Sequence, residues 1–304
     1  MFARILDLRL ARAWCLRGLV LLAGCGRVGF ATVAGDASDC WSSWTSGSPR
    51  FTTEPVAVAG INTKAREKNP FVTADRTTLY FASDRAGGMG GTDFWRAVRA
   101  SPDEPFGTPA PVPGLNSDAD DGRVELVDDG LTAVLSSLRP PNLGGYDLWL
   151  ATRSDLTAEF VVTQLSAVNS KTDDKDPHFS SDGAHLYFSV GSMSLSVAER
   201  SGATFGARTP LPGLDDVPGG GDPNVSPDEL AIVFSSQPQP QSAIDLYVAT
   251  RASTSDPFGT PAPLTAINTE YTEQDAFVTR DGCELWFASD RSNNVDIYVA
   301  TVAP

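Results

Sequence analysis

Asn69, Arg123, Asp176, Asp222 and Asp275 hold equivalent places in this chain. Each lies 12 residues before the central apolar residue of a recurring phrase, at positions 81, 135, 188, 234 and 287. Three carboxylates, an amide and a guanidinium brought to one place can do several kinds of chemistry. Two carboxyl groups about 5–9.5 Å apart can cleave a glycosidic bond. A carboxylate ring can also hold a cation or a basic chain end, and Arg123 can bridge neighbouring carboxylates. The same residue types also serve as solvated turn formers, and that reading stays open beside the others.

A second set follows the same phrase: Asp84 and Arg85, Arg139, and Asp290 and Arg291. These are expected on the same face as the first five, as ligand contacts or as surface ion pairs that steady a loop. Asp93, Asp147, Asp245 and Asp296 recur in four copies, which points to structure, since a catalytic site is normally unique. His178 and His185 are the only two histidines; both are expected to be structural. Gly87-Gly88-Met89-Gly90-Gly91 lacks a following Lys-Ser/Thr and is no phosphate loop. No HExxH, CxxC, GxSxG or dinucleotide pattern stands out in context. No catalytic residue, metal or cofactor is therefore assigned.

The elements that must position these residues are repeats. Leu79-Tyr80-Phe81-Ala82-Ser83-Asp84-Arg85 returns as Leu285-Trp286-Phe287-Ala288-Ser289-Asp290-Arg291. Weaker copies centre on Leu135, Phe188 and Phe234, and the successive spacings are 54, 53, 46 and 53. Upstream of each copy lies a strand-like segment and a turn, three of them carrying Asp-Gly, a tight-hairpin signal. Downstream lies an apolar strand such as Asp147-Leu148-Trp149-Leu150. A fourth segment, with Phe106, Phe160, Phe205 or Phe258 and nearby prolines, links the copies. Proline suits an edge strand, because it cannot donate to a central ladder. The unit is thus four antiparallel strands, A to D. A spare D segment at 51–59 precedes the first copy, and its open place is beside strand C of the fifth. That closes a ring: an all-β, five-bladed β-propeller of four-stranded blades. In this topology the D–A and B–C loops share one face, around the channel mouth.

Residues 176–189, Asp-Pro-His-Phe-Ser-Ser-Asp-Gly-Ala-His-Leu-Tyr-Phe-Ser, and 296–301, Asp-Ile-Tyr-Val-Ala-Thr, resemble the WD40-like PD40 repeat of TolB and its relatives. The resemblance spans roughly residues 51–301. It implies the propeller fold and no particular activity. TolB-type propellers usually have six blades, whereas five copies are counted here.

The formal charge is −15. Nucleic-acid binding needs an excess of Lys and Arg against phosphate, so this balance argues against it. It argues equally against peripheral binding to anionic lipid. At the N-terminus, Arg4, Arg9, Arg12 and Arg17 precede the apolar run Leu19–Ala23. That reads as a signal peptide, too short to span a bilayer. It ends in Leu22-Ala23-Gly24-Cys25, which resembles a bacterial lipobox with Cys25 as the lipidated residue. Gly26 in place of Asp favours the outer membrane by the same analogy. The expected organisation is a signal peptide at 1–24, a flexible Gly/Ala/Ser-rich tether at 25–50, and the propeller at 51–304. Cys40 and Cys283 remain, and an exported compartment permits a disulfide between them. Topology puts both on the far face of blade five.

Strong repeat symmetry without a unique catalytic constellation points to a non-catalytic binding or scaffold module. Its expected partner is an envelope protein or glycan at the channel mouth, with membrane contact through the lipid anchor alone. The alternative is a carbohydrate-active propeller using Asp176, Asp222 and Asp275.

Overall fold

The computed structural model describes residues 40–127, 130–191, 194–240 and 242–304. A short helix, α1 (Trp41–Thr45), and a two-residue strand, β1 (Val56–Ala57), precede five antiparallel sheets. Blade one holds β2 (Glu67–Val72), β3 (Thr78–Ser83), β4 (Asp93–Val98) and β5 (Ala110–Pro111). Blade two holds β6 (Asp121–Leu126), β7 (Thr132–Ser137), β8 (Asp147–Thr152) and β9 (Val161–Gln164). Blade three holds β10 (Asp174–Phe179), β11 (His185–Val190) and β12 (Ser194–Ser201), with β13 (Thr204–Phe205) and β14 (Thr209–Pro210) both paired to β12. Blade four holds β15 (Gly221–Val225), β16 (Ala231–Ser236), β17 (Asp245–Thr250) and β18 (Ala262–Pro263). Blade five holds β19 (Glu273–Val278), β20 (Glu284–Ser289) and β21 (Asp296–Thr301), and takes β1 as its outer strand. The innermost strands touch in a closed circle: β2 with β6, β6 with β10, β10 with β15, β15 with β19, and β19 with β2. This is the five-bladed propeller that the repeats imply.

Local chemistry makes the inner hairpins of four blades. Thr73, Ser180, Ser226 and Thr279 each donate a hydroxyl hydrogen bond to the Asp two residues on, at 2.6–2.7 Å. That Asp then accepts the amide of Thr77, Ala184, Leu230 or Cys283. The following turn residue must be left-handed. Gly183 (φ 66°) and Gly282 (φ 75°) supply this freely, but Arg76 and Glu229 also adopt φ 57°. Both compensate across a blade boundary. Arg76 pairs with Asp281 and Glu284 of blade five, and Glu229 with His185 and Tyr187 of blade three.

The core lies between blades. The central residues Phe81, Leu135, Phe188, Phe234 and Phe287 are all fully buried. The linker phenylalanines are buried too, each under a guanidinium: Arg99 over Phe106, Arg153 over Phe160, Arg200 over Phe205 and Arg251 over Phe258, at 4.4–4.9 Å. Edge prolines Pro111, Pro210 and Pro263 sit in outer strands, as their missing N–H requires.

Closure rests on few ladder contacts: Val56 opposite Val299, Ala57 opposite Tyr298, and one bridge from Phe51 to Val302. Other devices reinforce it. Cys40 and Cys283 form a disulfide with Cα atoms 5.0 Å apart. Residues 40–45, expected to be part of the tether, instead pack on blade five. Trp41 and Trp44 are buried, and their indole N–H groups donate to the carbonyls of Arg280 (2.9 Å) and Gly282 (2.8 Å). A Cβ on Gly282 would lie 2.8 Å from the Trp41 amide nitrogen. Gly282 therefore serves both the turn and this close approach.

Candidate functional site

The five equivalent residues do converge. Each inner strand carries a register shift at its start: after Lys68, Asp121, Lys175, Gly221 and Gln274. Asn69 (φ 53°), Asp176 (φ 55°), Asp222 (φ 54°) and Asp275 (φ 60°) sit in that bulge with left-handed backbone. Asn and Asp tolerate this conformation better than other side chains bearing a Cβ. Part of the acidity of the ring thus follows from backbone geometry. Arg123 is not left-handed; its amide donates to Ser136 Oγ at 3.0 Å.

The ring residues tie neighbouring blades together. Asp222 Oδ2 accepts the amide of Asp275 (2.8 Å), and Asp275 Oδ2 accepts the amide of Asn69 (3.2 Å). Ser235 and Ser189 donate to Asp222 and Asp176 at 2.6 and 2.7 Å. Arg123 is fully buried; it donates to the Ala276 carbonyl (3.0 Å) and lies 3.8 Å from Asp222 Oδ1. Burial first, then the charges of Asp176 and Asp275, push Asp222 well above the carboxylate range, with Arg123 opposing. Burial likewise raises Asp275 to about 6, against the pull of Lys68. Asn69 Oδ1, Asp222 Oδ1 and Arg123 Nε and Nη2 are buried without a hydrogen-bond partner among the described residues.

The second set has another fate. Arg85, Arg139 and Arg291 turn back into their own blades. Each ion-pairs with the acid that opens the inner strand: Glu67 (2.9 Å), Asp121 (2.7 Å) and Glu273 (2.9 Å). Each also donates to a D–A loop carbonyl, of Ile61, Leu115 or Ile267, and to Ser83, Ser137 or Ser289. Their Nε and Nη2 donors are therefore taken up inside the fold. Asp84 caps Arg66 through backbone and side chain, and Asp290 accepts the amide of Thr272. In all three copies the acid stands 18 residues before its arginine, too far apart in the chain for the pairing to be read without the fold.

Blades three and four lack this latch. Asp174 keeps the acid position in blade three, where its nearest cation is Arg208 at 3.7 Å. Blade four has Gly220 there, flanked by Gly219 and Gly221. The channel mouth holds a cavity of about 530 Å³, lined from all five blades and mostly from blades three and four. Asp176, Asp222, Tyr146, Lys175, Ser189 and Gln237 are among its lining residues. Tyr146, Lys175 and Gln237 carried no signal in the sequence. Lys175 Nζ lies 5.9 Å over the Tyr146 ring and 3.6 Å from Asp173. Burial and nearby aspartates raise Tyr146 to about 12, so its hydroxyl keeps its proton at neutral pH. Among the described residues, no group of three or more His, Cys, Asp or Glu is arranged to hold a metal ion. Cys25 lies outside the described residues.

No family model and no curated protein matches this sequence. Solved structures match the fold. The catalytic domain of a GH62 α-L-arabinofuranosidase from Coprinopsis cinerea aligns with TM-score 0.58 and 10% identity, over 83% of this chain and 97% of that one. An endo-arabinase from Bacteroides thetaiotaomicron aligns with TM-score 0.54 and 12% identity, over 84% and 98%. A TolB-assigned protein from Agrobacterium tumefaciens aligns with TM-score 0.44 and 16% identity, over 80% and 79%; so loose a likeness carries no argument. The shared feature is the propeller itself.

Proposed function

We propose that this protein is a non-catalytic binding module of the bacterial cell envelope, taking a protein or glycan at the channel mouth over blades two to four. The break in repeat symmetry carries this reading. Three blades close their mouth side with an Arg–acid latch, and the mouth cavity, lined from all five blades, draws most of its lining from blades three and four, which lack it. Tyr146 offers a ring face with a polar tip, and Lys175, Ser189 and Gln237 offer hydrogen bonds to a polar ligand. The ring carboxylates suit catalysis less well. Asp222 and Asp275 are buried, and each already accepts a backbone amide. The PD40 resemblance supports an envelope role, and the lipobox-like Leu22–Cys25 supports anchoring through Cys25.

Glycan-array binding and in-envelope crosslinking with mass spectrometry separate the two ligand classes. Tyr146→Ala and Lys175→Ala should each cut capture at least about tenfold while leaving Tm unchanged, a loss of ~1.4 kcal/mol of binding. Turnover in a hydrolase screen, abolished by Asp176→Asn, would establish the carbohydrate-active alternative instead. Cys25→Ala should move the protein from the membrane to the soluble fraction; unchanged membrane retention would refute the lipid anchor.

A further inference from the structure

The channel has a second end. Two residues beyond the mouth ring on each inner strand lie Phe71, Glu125, His178, Asn224 and Phe277. Arg123 separates the two levels by reaching from blade two to the Ala276 carbonyl of blade five. Below it, these five residues line a pocket of about 90 Å³ that opens among the A–B turns. One water needs ~10–15 Å³ on this measure, so the space suits a small organic group.

The two kinds of residue in this ring segregate. Phe71 and Phe277, on adjacent blades, meet edge to face with centroids 5.1 Å apart. Glu125, His178 and Asn224, on the three consecutive blades two to four, form one polar chain. Glu125 Oε1 accepts the amide of Phe179 (3.0 Å), and Oε2 lies 2.9 Å from His178 Nδ1. Asn224 Oδ1 accepts the amide of Val278 (3.3 Å), which leaves its amide nitrogen 3.1 Å from the same Nδ1. A carboxylate so close to Nδ1 requires a proton between them. With that proton on Nδ1 the lone pair is on Nε2 and the Asn224 nitrogen, which can only donate, makes a contact and no hydrogen bond; with the proton on Glu125, Nδ1 accepts and Nε2 carries the hydrogen. His178 is only 8% exposed, it lines the pocket, and its Nε2 has no hydrogen-bond partner among the described residues. Buried polar groups at a position that is aromatic in two other blades are costly unless matched.

We propose that this pocket is a second ligand site, independent of the channel mouth, that binds a small phenolic group between the two phenylalanines and His178. The aromatic walls favour an aromatic ring packed edge to face. A hydroxyl can donate to Nε2 or accept from it, so it suits the histidine in either protonation state. A carboxylate would meet Glu125, and an ammonium would find both Glu125 oxygens already engaged.

Calorimetric titration of the intact protein with p-cresol and with toluene tests this. p-Cresol should bind saturably and about tenfold more tightly than toluene, the ~1.4 kcal/mol expected of one hydrogen bond. His178→Phe should remove the preference, and Ser181→Trp, at the pocket rim, should block both ligands. Tyr146→Ala should leave both affinities unchanged, which keeps this site distinct from the mouth. N-acetyl-tyrosinamide binding alongside p-cresol would identify the natural phenol as a peptide tyrosine; p-cresol binding alone would identify a free phenol. Absence of saturable p-cresol binding, equal affinity for toluene, or binding that survives Ser181→Trp would overturn the proposal.

Discussion

Asp222 and Asp275 illustrate how one backbone feature sets residue chemistry. In four blades a bulge at the head of the inner strand favours Asn or Asp for its left-handed φ, and the closing of the ring then brings those side chains together, with Asp222 and Asp275 buried. Both folded-state pKa values are raised, chiefly by burial. The sign follows directly. A raised carboxyl contributes stability that is fully present below its unfolded pKa, near 4, and is lost as pH rises through the folded value, about 6 for Asp275. Asp275→Asn keeps an oxygen to accept the Asn69 amide and removes the charge. It should raise Tm at pH 7 by ~2–5 °C, and the gain should shrink toward pH 4. Differential scanning fluorimetry at the two pH values checks this. A lower Tm at pH 7 would mean that the charge itself holds the ring.

At the scale of the element, the Arg–acid latch joins an inner strand, its D–A loop and its B–C loop. Asp121 is fully buried, and burial holds its pKa up while Arg139 pulls it down. Arg139→Ala strands that carboxylate and should cost roughly 3 kcal/mol at pH 7. The loss should ease as pH falls and Asp121 takes up a proton. Adding Asp121→Asn should restore part of it. Arg139→Lys should recover less than the native residue, since an ammonium cannot span Asp121, Ser137 and the Leu115 carbonyl as the guanidinium fork does. Chemical denaturation of the four proteins measures each step. Unchanged stability in Arg139→Ala would show the latch to be inessential.

At the scale of the whole molecule, closure is the weak point. The N-terminal strand pairs with blade five over two residues, both exposed. The Cys40–Cys283 bond and the two buried tryptophans of α1 sit beside that seam. The bond spans 243 residues, so the unfolded chain loses much freedom by it. Cys283→Ser should cost about 2–5 kcal/mol, and hydrogen exchange should rise first in 40–57 and β21. Uniform exchange with unchanged stability would place the closing force in the strands alone.

Period and punctuation determined much of this protein. The recurrence at positions 81, 135, 188, 234 and 287, the Asp-Gly turn signals and the edge prolines rest on local backbone chemistry, and they led to five four-stranded blades. The spare D segment implied the closure. The equivalence of Asn69, Arg123, Asp176, Asp222 and Asp275 was legible for the same reason, because equal offsets in equal repeats share one height in a ring. What the side chains do there was not legible. Arg85 and Arg291 each stand next to an aspartate in the chain, yet bond an acid 18 residues earlier, at the head of strand A. Arg123 looked like its ring neighbours but crosses the channel. The mouth cavity draws its lining from all five blades, and the far pocket joins three polar residues of three blades to two phenylalanines of the others. Such features depend on contacts between repeats, and only the closed ring decides which side chains meet across its axis.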